Sequence, residues 1–212
     1  MYKLSHIIES SSRYQARKTL IPFTHKASVA LILREHNQGC ELLMLQRAIK
    51  AGDPWSGHMA FPGGKQDHKQ EASIDTAIRE TFEETSINLS NADCLGRLSD
   101  LTTRTHNNKG LMTISPWIFQ ISEKSSIQLN HESQRAIWLP LDTFAPMRRE
   151  QFRWPIMELA GKSVAINLPC FRYDQAKIWG LSLIMLDEFM DLLASDGKKR
   201  APISKRVFRY FK

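Results

Sequence analysis

Arg79, Glu80, Glu83 and Glu84 bring three carboxylates and one guanidinium together within six residues. On a helix, at about 100° per residue, the three glutamates fall within one arc of about 100°. Like charges three or four residues apart repel by a few tenths of a kcal/mol per pair. Arg79 offsets only part of that. A hard divalent cation would offset more, because Mg²⁺ prefers carboxylate oxygens and keeps several waters. A solvated acidic helix face is the plain alternative for three glutamates alone. The double glycine upstream, Gly63-Gly64, and the adjacent arginine shift the balance toward a metal-dependent phosphate chemistry.

Such a cluster needs a helix to space it and strands to hold the glycine loop. Ser73 is a good N-cap ahead of Ile74 and Asp75, so a helix is predicted from there to about Thr85. Ile74, Ala77, Ile78, Thr81, Phe82 and Thr85 centre on the side opposite the glutamates, which predicts a buried stripe and an exposed acidic face. Residues 27–33 and 41–47 read as a hairpin around the turn signal at residues 36–39. Residues 50–70 are rich in Gly and Pro and read as loop or strand edge. Strands are expected over 94–101, 111–121 and 134–141. Pro146, Pro155 and Pro169 make residues 142–176 read as irregular. Apolar spacing over 178–194 predicts a long C-terminal helix, its Ile184, Met185, Phe189 and Leu192 stripe packing on the core.

The chain of 212 residues is 42% hydrophobic and 24% charged, the composition of a globular α/β or α+β domain. Residues 1–26 read as a polar, partly helical extension, 27–195 as the domain and 196–212 as a basic tail. That tail, from Gly197 on, holds seven basic residues and no acidic one, which equals the whole net charge of +7. It reads as a solvated terminus, with nucleic acid not an expected partner. Cys40, Cys94 and Cys170 lie far apart, against a disulfide framework or zinc ribbon. With no signal sequence and no apolar run of membrane-spanning length, a cytoplasmic protein without a membrane partner is expected.

Gly64, Glu71, Arg79-Glu80, Glu83-Glu84 and Ile87 resemble the Nudix box, G-x5-E-x7-R-E-U-x-E-E-x-G-U, of the Nudix hydrolases. The departures are six residues between Gly64 and Glu71, Thr81 at the aliphatic position, and Ser86 at the final glycine. Gly57-His-Met-Ala-Phe61-Pro62-Gly63-Gly64 and Trp179-Gly180-Leu181-Ser182 resemble the coenzyme A diphosphatase branch. Asp53 stands where that branch usually carries Arg, and Arg47 could supply the phosphate contact instead.

The resemblance implies the Nudix fold, an αβα sandwich with a mixed β-sheet and a loop–helix–loop box. It also implies hydrolysis of a nucleoside diphosphate derivative with Mg²⁺ or Mn²⁺. Glu80, Glu83 and Glu84 are the expected metal ligands, with the Gly63 carbonyl. Arg79 is expected to orient the glutamates, and the general base to be a box glutamate or Glu132. Arg47, Trp55, Gly64 and Lys65 are the expected substrate contacts, with Arg104 and Lys109 further cations for a 3′-phosphate. His58 and His131 read as loop residues. Trp117 and Trp138 read as core, and Trp55 as the better stacking surface. The leading substrate is coenzyme A or acyl-CoA, giving 3′,5′-ADP and a phosphopantetheine. ADP-ribose, NADH or dinucleoside polyphosphates are the rivals in the same class. A non-catalytic nucleotide-binding regulator and an RNA-decapping protein are rivals of another kind. A homodimer fits the resemblance, though nothing in the sequence marks its interface.

Overall fold

The computed structural model of the chain describes residues 1–22, 24–51, 55–105, 110–122, 125–144, 149–159 and 162–195. Asp53, Lys109, Pro146 and the basic tail therefore lie outside the described residues. Long alternating apolar runs make the first hairpin, β1 (His25–His36) and β2 (Gly39–Arg47), antiparallel with Leu33 opposite Leu42. The short β3 (Met59–Ala60) pairs with β2, and β4 (Gly63–Lys65) pairs with β1. Helix α2 (Ser73–Thr85) follows, after an earlier α1 (Leu4–Arg13). Then come β5 (Cys94–Arg97), β6 (Leu101–Arg104), β7 (Leu111–Ile121) and β8 (Ser133–Pro140). The β1–β7 pairing is parallel and the other pairings are antiparallel, so the sheet is mixed.

Successive β1 side chains feed opposite layers, as the period of a strand requires. Ala30 and Ile32 pack with Leu43, Leu45, Ala77 and Phe119 on the α2 side. Leu31 and Leu33 pack with Leu42, Met44, Leu186 and Phe189 on the other. There α1 and α3 (Gly180–Ala194) cover the sheet, Ile7 of α1 being fully buried. The αβα sandwich is thus two apolar layers around one sheet. The long C-terminal helix brings Met185, Phe189 and Leu192 into the core as expected, with Ile184 packed against them. Trp117 and Trp138 pack on the α2-side layer, while Arg97 and Arg34 lie over their rings. All three cysteines are free thiols.

Several local expectations need correction. From residue 150 on, the described part of the segment read as irregular, 142–176, forms strands: β9 (Glu150–Leu159) and β10 (Lys162–Tyr173) form a hairpin, and β11 (Ala176–Trp179) completes a second, three-stranded sheet. Its prolines fall where a missing N–H costs little. Pro155 is on the edge strand β9, beside a register shift, and Pro169 precedes the first β10 residue paired to β11. The expected strand 94–101 is two strands, β5 and β6. Residues 178 and 179 end β11, so α3 starts at Gly180. The N-cap of α2 is Ala72, not Ser73, and no side chain caps it.

Candidate functional site

Helix α2 carries the charged cluster, and its buried face keeps Ala77, Thr81 and Thr85 of the expected stripe, with Ile74 and Ile78 packed beside them, but is turned toward the glutamates. Thr76, Ala77, Thr81, Glu84 and Thr85 are buried, an arc centred between Glu84 and Ala77. Glu84 is only 8% exposed, whereas Phe82, expected inside, is 55% exposed. The correction has a physical reason. The helix lies against the glycine strand β4 and β1, and glycines leave room for a carboxylate there. The backbone N–H of Gly63 donates to Glu84 Oε2 at 2.9 Å. Glu80 is half-buried and Glu83 exposed, so the three glutamates run from inside to outside.

The two glycines do different work. Gly63 has φ +147°, and a Cβ there would strike the carbonyl oxygen of Ser28 and the backbone of Val29. A Cβ on Gly64 would instead strike the carboxylate of Glu80. Gly63 is therefore required by the β1–β4 pairing and Gly64 by the cluster itself. The helix ends at Ser86 in the left-handed region, φ 59°, its N–H bonded to the Phe82 carbonyl at 2.8 Å. That is the conformation for which glycine is best suited.

Arg79 is the hub. Its Nε donates to Glu71 Oε1 at 2.9 Å, and one terminal nitrogen donates to Glu80 and Glu83, each at 3.1 Å. The other terminal nitrogen donates to the carbonyl of Lys65 at 3.0 Å and to Glu71 Oε2 at 3.4 Å. Glu71 also accepts from the Asp67 N–H, so one carboxylate closes the loop on the helix. The guanidinium pulls the Glu71 pKa down to about 2. Glu71, then Glu83 and Glu80, raise the pKa of Arg79 in return.

The inner glutamates are pushed the other way. Burial raises Glu84 to about 7; the Gly63 N–H opposes this, Glu80 and Glu132 add to it, and Arg47 opposes it. Burial also raises Glu80, against the pull of Arg79. These mutual influences bring Glu80, Glu84, Glu132 and Arg47 into one neighbourhood. Backbone bonds hold it: Gln128 N–H to the Thr85 carbonyl at 2.9 Å, Asn130 N–H to the Glu84 carbonyl at 3.2 Å, and Ala48 N–H to the Glu132 carbonyl at 2.7 Å. They fasten the loop bearing Glu132 to the end of α2 and the end of β2.

Among the described residues, no three acids, histidines or cysteines are already closed up as a chelating set. The residues nonetheless fit a divalent cation. A buried carboxylate with its charge opposed by two further acids is short of positive charge, and Arg79 spends its bonds on Glu71, Glu80, Glu83 and Lys65. Gly63 meets Glu84 through its N–H. Lys65 is exposed and gives Arg79 its carbonyl. Trp55 is 43% exposed in the turn before His58. His131 is exposed, and Arg104 lies at the far end of β6. A cavity of about 470 Å³, lined by Lys18, Lys26, Glu71 and Trp117, lies at the start of α2 and does not include Glu80, Glu83 or Glu84.

One feature was invisible to sequence reasoning. Trp154 and Trp179 of the second sheet meet the ring of His58, which leads into β3, and Phe152 packs against both tryptophans. Trp154 lay in the stretch read as irregular, so no periodicity marked it.

The NUDIX domain family matches residues 24–160, which contain the whole cluster and its sheet. The chain belongs to the Nudix family. Nudix hydrolase 3 of Caenorhabditis elegans is 27% identical over 162 residues, covering 70% of this chain and 65% of that protein. An uncharacterized Schizosaccharomyces pombe protein, C14C4.10c, is 36% identical over 104 residues, covering 47% of this chain and 32% of its own. This Nudix chain thus spans from about a third to just under two thirds of those relatives. A MutT/nudix family protein from Enterococcus faecalis has the same fold, with TM-score 0.53 at 15% identity, covering 99% of this chain and 81% of that one. No helix among the described residues is long and apolar enough to cross a membrane.

Proposed function

We propose that this Nudix protein hydrolyses the diphosphate bond of a nucleoside diphosphate derivative, with Mg²⁺ or Mn²⁺ held by Glu80, Glu83 and Glu84. The observation that carries the reading is Glu84, a buried carboxylate joined to the glycine loop and facing other acids. When bound, the metal supplies charge neutralisation of the diphosphate and a lowered pKa for water. The protein's own contribution is positioning, which dominates phosphoryl chemistry. Arg79 fixes the rotamers of Glu80 and Glu83 from the helix and the loop together. Gly64 leaves the space that Glu80 fills. Glu132 acts as the base for the attacking water, and Arg47 offers positive charge to the diphosphate. Trp55 and Lys65 are further substrate contacts.

Coenzyme A or an acyl-CoA is the substrate we favour, cut to 3′,5′-ADP and a phosphopantetheine. The support is the pair of segments around Phe61 and Trp179. Phe61 is buried beside the glycine loop, and Ser182 Oγ–H donates to the carbonyl of Met59 at 3.0 Å. The two segments are thereby fastened to each other at the edge of the site. The test is a product assay with Mg²⁺ against CoA, an acyl-CoA, NADH, ADP-ribose and a diadenosine polyphosphate, with Glu83→Gln as control. Release of 3′,5′-ADP from CoA, absent in the control, is expected. AMP released from ADP-ribose or NADH in preference would overturn the CoA assignment and keep the chemistry. Silence across the panel would overturn the hydrolase reading.

A further inference from the structure

The second sheet has two unlike faces. Along β11, Ala176 and Ile178 are buried in the core while Lys177 and Trp179 alternate with them on the other face. Phe152 and Trp154 of β9 lie on the same side as Trp179, because their rings meet its ring. Trp179 is the centre of the group, with ring centroids 4.5 Å from Trp154, 4.7 Å from His58 and 5.1 Å from Phe152. All three β-sheet rings remain partly exposed, although the same chain buries Phe119 and Phe189 completely. Lys177 Nζ stands 4.0 Å over the Phe152 ring. The neighbouring acids Asp174 and Glu150 are paired with Arg135 and Arg172, and none pairs with Lys177 among the described residues. The surface is therefore aromatic and cationic.

It also lies a short stretch of chain from the glutamate cluster. His58 precedes β3, its carbonyl accepts the Arg47 N–H at 3.0 Å, and five residues on the chain reaches Gly63. An extended chain of that length spans at most about 18 Å, within reach of an extended nucleotide. We propose that this face is the subsite for the substrate's nucleobase, stacked on Trp154 and Phe152, with Lys177 receiving a phosphate monoester on the ribose. Aromatic faces accept any base, and a cation beside them selects for an extra phosphate. The assignment rests on the diphosphatase reading above and deepens it.

The test is calorimetric titration of the full chain, with Mg²⁺ present, using adenosine 3′,5′-bisphosphate. That ligand has no diphosphate bond, so its binding reads the subsite whether or not the protein hydrolyses anything. Trp154→Leu and Phe152→Leu should each weaken binding about tenfold, the scale of one lost stacking contact. Lys177→Ala should weaken the bisphosphate about tenfold and AMP less than about twofold. Thermal unfolding followed by circular dichroism checks each variant, and if Trp154→Leu does not fold, the other two carry the test. Binding within about twofold of wild type in all folded variants would overturn the subsite, even where CoA is still hydrolysed. Loss of acyl-phosphopantetheine binding in Trp154→Leu, with nucleotide binding kept, would overturn the nucleobase assignment. Intact bisphosphate binding with no turnover of any diphosphate would instead sink the hydrolase reading alone.

Discussion

Gly63 and Glu84, twenty-one residues apart, are joined by a single hydrogen bond of 2.9 Å from the amide of a strand to a buried carboxylate. The strand cannot drift from the helix without breaking it, and the carboxylate cannot rotate to solvent. Glu84 is thus held where its charge is least welcome, as the proposed cation site requires.

Replacing Glu84 by Gln should separate stability from activity. The amide keeps the acceptor for Gly63 and removes a charge that burial opposes, so metal-free stability at pH 8 should rise by about 1–3 kcal/mol. Turnover should fall by a factor of about 10³. Glu83→Gln, at an exposed position, should lose turnover on the same scale with the melting temperature unchanged. Wild-type-like rates in either purified variant would remove the metal-site assignment.

The pH dependence follows from opposed shifts. Glu84 is raised from 4.5 to about 7, so between those values the metal-free folded state keeps a proton that the unfolded chain has lost. Its stability should therefore fall as pH rises through that window, by up to about 3 kcal/mol, and stay level above it. Metal binding must expel the proton, so apparent Mg²⁺ affinity should climb with pH below about 7 and then plateau. Glu71 runs the other way: its pKa is lowered from 4.5 to about 2, and its contribution, present above pH 4.5, is lost as pH falls through 2. Calorimetric titration of Mg²⁺ at several pH values, with metal-free melting curves beside it, reads both signs.

The paired glycines should fail differently. Gly63→Ala meets backbone and sits at φ +147°, so it should cost roughly 3 kcal/mol of stability. Gly64→Ala meets the Glu80 side chain, which can swing away. That variant should fold with near-normal melting temperature and lose metal affinity. Equal destabilisation of the two would contradict the division of labour drawn from their contacts.

Ser86→Gly should stabilise the protein by about 1 kcal/mol. Ser86 holds φ 59° at the end of α2, a left-handed conformation that costs a residue with a Cβ about that much. Urea unfolding of the variant measures it, and no gain would mean that the unfolded chain's added freedom cancels the relief.

The first hairpin, the extent of α2 to within a residue and the long strand β7 were legible because their apolar periods are long and their turns are marked. The resemblance to the Nudix box was legible at Glu71, Arg79, Glu80, Glu83 and Glu84. The burial of Glu84 was not. Helical periodicity ranks faces by hydrophobicity, and here a sheet edge made of glycine accepts a carboxylate in place of Phe82. The β9–β10 hairpin was hidden by Pro155 and Pro169, since their tolerance depends on which strand is at an edge, a property of the pairing. With that hairpin went Trp154 and the aromatic face.

The parallel pairing of β1 with β7 has a consequence for assembly. His25 meets Met112 and Arg34 meets Ile121, so residues nearly ninety positions apart must find each other before the central sheet exists. Closing so long a loop is costly, and chains dominated by distant pairings fold slowly. The β1–β2 hairpin and α2 rest on local signals, but the loop that carries Glu132 is fastened to the ends of α2 and β2 by bonds between residues far apart in the chain, Gln128 to Thr85, Asn130 to Glu84 and Ala48 to Glu132. The neighbourhood of Glu84 is therefore built from distant pairings and not from local ones, and a partly folded chain that lacked them would carry its glutamates without their setting.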